Sequence, residues 1–220
     1  MNTIQEFLKR RRICLKTHNI RVFYRLNRIF SERKLVLDFK CRGRFDLAIM
    51  PSSTIKDVLL EDSTLYINEK LIYGLRDITL LTLILSAILL REHASAVLNV
   101  GIDPGKRIGY AVLVSDILVD GGAVSSMKSL LEVLEEILLH SPFTSCVIKV
   151  GSSISLTSLS LIMHLREKVE KEKGLKVKIC LVDESKSREK AFILRDHVKA
   201  RSKDYLAACT IALSIGEELE

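Results

Sequence analysis

The sequence predicts an α/β protein in which helices flank a mixed five-stranded sheet and a small basic α/β region precedes that sheet. Three consecutive apolar segments, at about 97–103, 108–115 and 117–124, predict strands. Helical and strand segments then alternate to the end of the chain. An order of three strands followed by alternating helices and strands is typical of a mixed sheet with helices on its faces.

The region 95–220 contains the sheet. After the three strands it is predicted to contain a helix at 127–140, a strand at 145–150, a helix at 155–172, a strand at 176–182 and a helix from about Ser202. The helix at 127–140 is predicted from apolar residues that recur every three or four positions, which places them on one face.

The region 1–94 is a separate basic unit of unassigned fold. Its predicted elements are a basic amphipathic helix at about 20–34, strands at 35–39, 46–50 and 64–68, a helix near 54–60 and an apolar helix at 78–90. Thirteen helical residues extend about 20 Å, which is too short for a bilayer core of about 30 Å. The apolar helix is therefore predicted to be buried in a core, and no membrane partner is expected.

Basic charge is concentrated at the start of the chain. Residues 1–44 hold 13 Lys and Arg against 3 Asp and Glu, whereas residues 96–220 hold 17 against 17. The cations expected to bind nucleic acid here are Arg10, Arg11, Arg12, Arg25 and Arg28. Aromatic residues between them (Phe23, Tyr24 and Phe30) suit base stacking. The alternative is a solvated helical face whose apolar residues turn inward.

Residue usage indicates the compartment. The five cysteines are scattered, odd in number and without a CxxC pair, so reduced and mostly buried thiols are predicted, with neither a zinc site nor disulfides. The charged N-terminus has no export signal, which favours a cytoplasmic protein. A single glutamine and the absence of tryptophan favour a thermophile.

The hairpin at 97–113 holds the most informative carboxylate. Asp103 ends the first apolar strand and is followed by Pro104-Gly105, which allows the chain to reverse. Gly109 leaves a gap in the second strand where a phosphate backbone is expected to approach. A carboxylate on a rigid strand end suits a metal ion, whereas the alternative is an ordinary hairpin with a surface aspartate.

Three segments together resemble a known family. They are Gly-Ile-Asp-Pro-Gly-Lys-Arg-Ile-Gly-Tyr-Ala-Val at 101–112, Val-Asp-Glu-Ser at 182–185 and Lys-Asp-Tyr-Leu-Ala-Ala at 203–208. They resemble the RuvC/YqgF branch of the ribonuclease H-like nucleases, which comprises Holliday-junction resolvases and pre-16S rRNA nucleases. The resemblance covers about residues 96–216 and does not extend to residues 1–94.

The resemblance implies a ribonuclease H-like fold and a hydrolase, specifically a metal-dependent endonuclease that cuts structured DNA or RNA with Mg²⁺ or Mn²⁺. Asp103, Glu184 and Asp204 would be both catalytic residues and metal ligands. Neighbouring strand residues point to opposite faces, so Asp183 would be exposed and Glu184 would point towards the site. The alternative for Asp204 is a helix cap. The resemblance also allows a homodimer.

Two departures from the family leave a second function open. Lys149 is expected where resolvases place a glutamate on the fourth strand, and Ser185 stands where related nucleases often carry arginine. Glu184 lies two strands from Asp103, about 10 Å at the usual strand spacing, so it must lean inward. The alternative is a catalytically degenerate nucleic-acid-binding protein.

Cations near the predicted carboxylates are expected to contact nucleic acid. They are Lys106, Arg107, Lys149, Lys199, Arg201 and Lys203. For the last three, a solvated loop is the alternative. An actin-like phosphotransferase, whose first strand has a similar motif, is disfavoured because it needs a second such domain and a second phosphate loop.

Overall fold

The computed structural model describes residues 2–53, 65–92, 96–184 and 202–219. The helix predicted near 54–60 lies outside the described residues.

Ten strands are present in the described part of the chain. They are β1 (Asn2–Thr3), β2 (Ile13–Leu15), β3 (Leu47–Met50), β4 (Leu65–Asn68), β5 (Leu98–Asp103), β6 (Ile108–Val114), β7 (Ile117–Val124), β8 (Ser145–Gly151), β9 (Lys176–Val182) and β10 (Glu217–Leu219).

Six α-helices accompany these strands in the same ranges. They are α1 (Ile4–Leu8), α2 (Ile20–Glu32), α3 (Asp77–Glu92), α4 (Met127–His140), α5 (Leu156–Lys173) and α6 (Lys203–Leu213), and a 3₁₀ helix covers Glu69–Ile72.

The main sheet has the order β1-β7-β6-β5-β8-β9-β10. Strands β7, β6 and β5 are antiparallel neighbours, whereas β5, β8 and β9 are parallel. This mixed pattern, with the first strand of the hairpin at the centre, is a ribonuclease H-like fold. All five strands predicted for region 95–220 are confirmed as β5 to β9. Two short edge strands extend the sheet: β1 pairs with β7 in parallel and β10 pairs with β9 in antiparallel orientation.

The two faces of the sheet are covered by different helices. Alternation along β6 sends Val112 into a large core shared with α3, α4 and α5, whereas Ala111 and Leu113 pack against α6. Helix α6 lies across β5 and β6, which are central strands of the sheet. The start of α6 therefore lies over the hairpin that carries Asp103.

A second, three-stranded sheet is formed by β2, β3 and β4, all parallel. The prediction of a strand at 35–39 is wrong. Only Asp38 forms a bridge there, to Cys14. The carboxylate of Asp38 accepts hydrogen bonds from the backbone N–H groups of Lys40 and Cys41. These bonds form a turn that directs the chain away from β2 after this one bridging residue.

Two of the five cysteines form a disulfide, whereas the sequence predicted reduced thiols. Cys14 and Cys41 form a disulfide with 5.2 Å between their Cα atoms, so the expectation of reduced thiols is wrong for this pair. The turn at Asp38 brings Cys41 back beside β2, a proximity that cysteine spacing does not reveal. The other three cysteines are free and buried, as predicted.

The apolar helix predicted at 78–90 is confirmed as α3. It packs against β6, β7 and α4, and most of its residues are buried. Across the described ranges, no helix is both long enough and apolar enough to cross a bilayer.

Candidate active site

Asp103 is the last residue of β5 and pairs with Gly109 across the predicted hairpin. Partial burial, followed by the charges of Glu184 and then Asp204, raises the pKa of Asp103 from 3.8 to about 6. A carboxylate that is buried and surrounded by like charge resists ionisation. The carboxyl groups of these three residues therefore share one electrostatic environment.

Glu184 reaches this environment across β8. The β8 residue in register beside Asp103 is Gly151, since Ile102 pairs with Val150. A Cβ atom on Gly151 would lie 2.3 Å from Glu184 Oε1. The missing side chain thus leaves the space that the carboxylate of Glu184 occupies. Glu184 is half-buried and Asp183 is exposed, as predicted.

Ser153 holds the carboxylate of Glu184 in place. Its Oγ lies 2.7 Å from Glu184 Oε1 and 3.2 Å from the carbonyl oxygen of Pro104, and its backbone N–H also donates to Glu184 Oε1. Glu184 is therefore linked to the turn that follows Asp103. Sequence reasoning did not identify Gly151 and Ser153 as neighbours of Glu184, because this relation depends on the register of β8 against β5.

Asp204 enters from the other side, in the first turn of α6. Ser202 is the N-cap of this helix and accepts the N–H of Tyr205, so Asp204 does not serve as the cap. A Cβ atom on Gly109 would lie 2.1 Å from the carbonyl oxygen of Asp204. The gap at Gly109, expected to admit a phosphate backbone, is filled by α6, and that expectation is wrong.

Glu184 and Asp204 both lie close enough to Asp103 for their charges to raise its pKa, after the larger effect of burial. Among the described residues, however, no group of three or more His, Cys, Asp or Glu side chains stands at metal-binding separation. Uncompensated carboxylates repel one another, which opposes tight convergence without a cation.

Lys149 lies on β8 and pairs in register with Gly101, two residues before Asp103. That it replaces a catalytic glutamate stays a prediction. Lys149 Nζ donates to the carbonyl oxygens of Ala212 and Ser214, at 2.9 and 2.7 Å. The ammonium group therefore binds the C-terminal end of α6.

Exposed cations border the carboxylates. Lys106 and Arg107 lie in the β5–β6 turn and Lys203 precedes Asp204; all three are exposed. No ion pair engages their side chains within the described ranges. Lys199 and Arg201 lie outside the described residues.

Most of the N-terminal arginines singled out from the sequence are committed to internal ion pairs. Arg11 pairs with Asp46 and Glu92, and Arg12 pairs with Asp38. Arg25 and Arg28 both pair with Asp77. Arg10 is exposed, and no ion pair to it is found in the described part of the chain. Phe30 is buried and is not available for stacking.

Comparisons with known proteins find a likeness in structure but none in sequence. No family model matches the chain. No curated protein matches it either. Among solved structures, the chain is similar to RuvC from T. thermophilus in complex with a Holliday junction substrate, with 16% identity and a TM-score of 0.40. The match covers 56% of this chain and 99% of the RuvC chain.

Proposed function

We propose that this protein is a divalent-metal-dependent nuclease that hydrolyses phosphodiesters in structured DNA, such as a Holliday junction, or in structured RNA. The observation that supports this most directly is the raised pKa of Asp103, which follows from its burial and from the charges of Glu184 and Asp204. Perturbed carboxylates that gather at a strand end are typical of functional sites.

The donor chemistry fits a hard cation. Carboxylate oxygens are the ligands that Mg²⁺ and Mn²⁺ accept readily, and Asp103, Glu184 and Asp204 would hold the ion. A bound divalent ion would activate water and neutralise charge on the phosphate. The like charge that raises the pKa of Asp103 is the charge that a cation would balance.

The remaining side chains have separable roles in this proposal. Ser153 holds the carboxylate of Glu184 beside the Pro104 carbonyl. Lys106, Arg107 and Lys203 attract the phosphate backbone to the rim of the site. Asp103 must lose its proton to bind a cation, so affinity for the metal should rise as the pH passes about 6.

The test combines metal titration with cleavage assays. Wild-type protein should bind Mn²⁺ in calorimetry at pH 8 and cut at least one of a four-way junction, duplex DNA or structured RNA. Asp103→Asn should lose both properties and stay folded, because the amide keeps the shape and removes the charge. Asp116→Asn, an exposed carboxylate at the opposite end of β6, is the matched control and should keep both.

The alternative is a catalytically degenerate nucleic-acid-binding protein. It is favoured by the absence, among the described residues, of any group of three metal-ligating side chains at binding separation. If the wild type binds these nucleic acids but neither binds Mn²⁺ nor cuts any of them, the nuclease proposal is overturned and the binding function stands.

A further inference from the structure

Three aromatic rings form a cluster on the first region, here called the aromatic surface: Phe23 and Tyr24 of α2, and Phe39 of the following loop. The ring centroid of Phe23 lies 5.6 Å from that of Tyr24, edge-on, and 5.2 Å from that of Phe39. Tyr24 is 64% exposed and Phe39 is 48% exposed. Phe23 packs partly against the core and thereby anchors the other two rings.

The aromatic surface is not required to close the hydrophobic core. Helix α2 already buries Val22, Leu26, Ile29 and Phe30. Two further apolar residues, Ile20 and Val36, are 66% and 82% exposed. Exposed aromatic rings that the core does not need are typical of a binding surface.

Two exposed cations lie close to these rings in sequence. Lys40 directly follows Phe39, and Arg21 lies three residues before Tyr24, about one turn earlier on α2; neither has an ion pair in the described ranges. The nearest acid in sequence to Phe39 is Asp38, whose charge is balanced by Arg12 at 2.9 Å. A phosphate backbone would therefore meet free cations and a compensated carboxylate.

We infer that the aromatic surface binds single-stranded nucleic acid by stacking unpaired bases on Tyr24 and Phe39, while Arg21 and Lys40 contact the phosphates. Exposed rings beside free cations are the combination that single-strand binding requires. An apolar protein partner would make no use of the unpaired cations. The inference goes beyond the proposed nuclease function, because it concerns a different surface and needs no metal ion.

The test uses the absence of tryptophan from the chain. In Tyr24→Trp, the single indole should be quenched by a short oligothymidylate in EDTA, because a base stacks on the ring. Leu161→Trp places an indole on α5 at a residue that is 40% exposed, and its fluorescence should not change. EDTA removes divalent ions, so this result is independent of metal-dependent nuclease activity.

Two substitutions at Phe39 separate stacking from general apolarity. Phe39→Tyr keeps the ring face and should keep the affinity, whereas Phe39→Leu keeps an apolar side chain and should weaken binding about 5- to 100-fold. Unchanged fluorescence of Tyr24→Trp at saturating oligonucleotide, or wild-type affinity in Phe39→Leu, would overturn the inference.

Discussion

Asp103 carries an unusual acid–base property for a strand-end aspartate. Its pKa is raised from 3.8 to about 6 by burial and by the charges of Glu184 and Asp204. Between about pH 4 and 6, Asp103 is therefore mostly protonated in the folded protein and mostly ionised in the unfolded chain. The stability that this difference contributes is complete below about pH 4 and is lost as the pH rises through 6.

Asp103→Asn should therefore stabilise the metal-free protein at high pH. The full change in pKa corresponds to about 3 kcal/mol, and solvent screening of a half-buried carboxyl reduces this to roughly 1 to 2 kcal/mol. Urea unfolding in EDTA should show no gain at pH 4 and a full gain at pH 8. A gain that is the same at both pH values would contradict the assigned cause.

Gly151 determines where the carboxylate of Glu184 can lie. Gly151→Ala would place a Cβ atom 2.3 Å from Glu184 Oε1 and 2.9 Å from Pro104 Cδ, so the flexible side chain of Glu184 would be displaced and the turn after Asp103 would shift slightly. The pKa of Asp103 should then fall towards its ordinary value, and Mn²⁺ affinity should fall about 10- to 100-fold, the effect typical of losing a supporting contact. Calorimetry and a carboxyl NMR titration would measure both changes.

The matched control is Gly122→Ala on β7. Its added Cβ atom would meet the ring of Tyr110 at an ordinary distance of 3.6 Å. If Gly122→Ala lowers Mn²⁺ affinity as much as Gly151→Ala does, the effect of Gly151→Ala does not come from Glu184.

At the scale of elements, α6 is held over the sheet at both ends. Near its start, the backbone of Asp204 fills the space over Gly109. At its end, Lys149 binds the carbonyl oxygens of Ala212 and Ser214. Asp204 is therefore positioned by contacts along the whole helix and not only by its own turn.

Lys149→Met should loosen the end of α6. It removes two charge-assisted hydrogen bonds to partly buried carbonyl groups, which should cost about 1 to 3 kcal/mol of unfolding free energy. Hydrogen exchange should accelerate in the last turn of α6. Lys178→Met, which removes an exposed ion pair with Glu218, should cost much less, because water and salt screen that pair. Equal costs for the two variants would contradict the capping role of Lys149.

At the scale of the whole molecule, the net positive charge of the first region exceeds the charge of those cations that are free of ion pairs and can bind nucleic acid. Residues 1–44 carry a large basic excess, yet Arg11, Arg12, Arg25 and Arg28 each pair with an acid of the same chain. These pairs connect parts of the chain that are distant in sequence. The division into two domains at residue 94 stays a prediction, although β1 and α3 pack against β7 of the main sheet.

The salt dependence of nucleic-acid binding should separate the two classes of cation. Neutralising Arg10, Arg21 and Lys40 together should lower the log–log salt slope on single strands by up to about 2, because each free cation releases counterions from the nucleic acid. Neutralising Arg11 and Arg28 should leave the slope nearly unchanged and lower stability instead. Equal reductions of the slope would show that the internal ion pairs open on binding.

The central sheet can be predicted from local patterns in the sequence. Strands β5 to β9 are buried or half-buried apolar runs with clear ends, and the helices between them have long periodic patterns, so local order predicts the elements. The hairpin that sets Asp103 at a strand end is equally local. Edge strands of two and three residues are too short for any period to reveal.

The groups that meet in the candidate site come together only in the folded chain. Glu184 and Ser153 lie 31 residues apart, and Lys149 lies 63 residues from the carbonyl of Ala212 that it binds. Such contacts depend on strand register, where one or two residues decide whether Lys149 or Gly151 stands beside Asp103. The disulfide and the arginine ion pairs have the same origin, because spacing along the chain does not specify proximity in space.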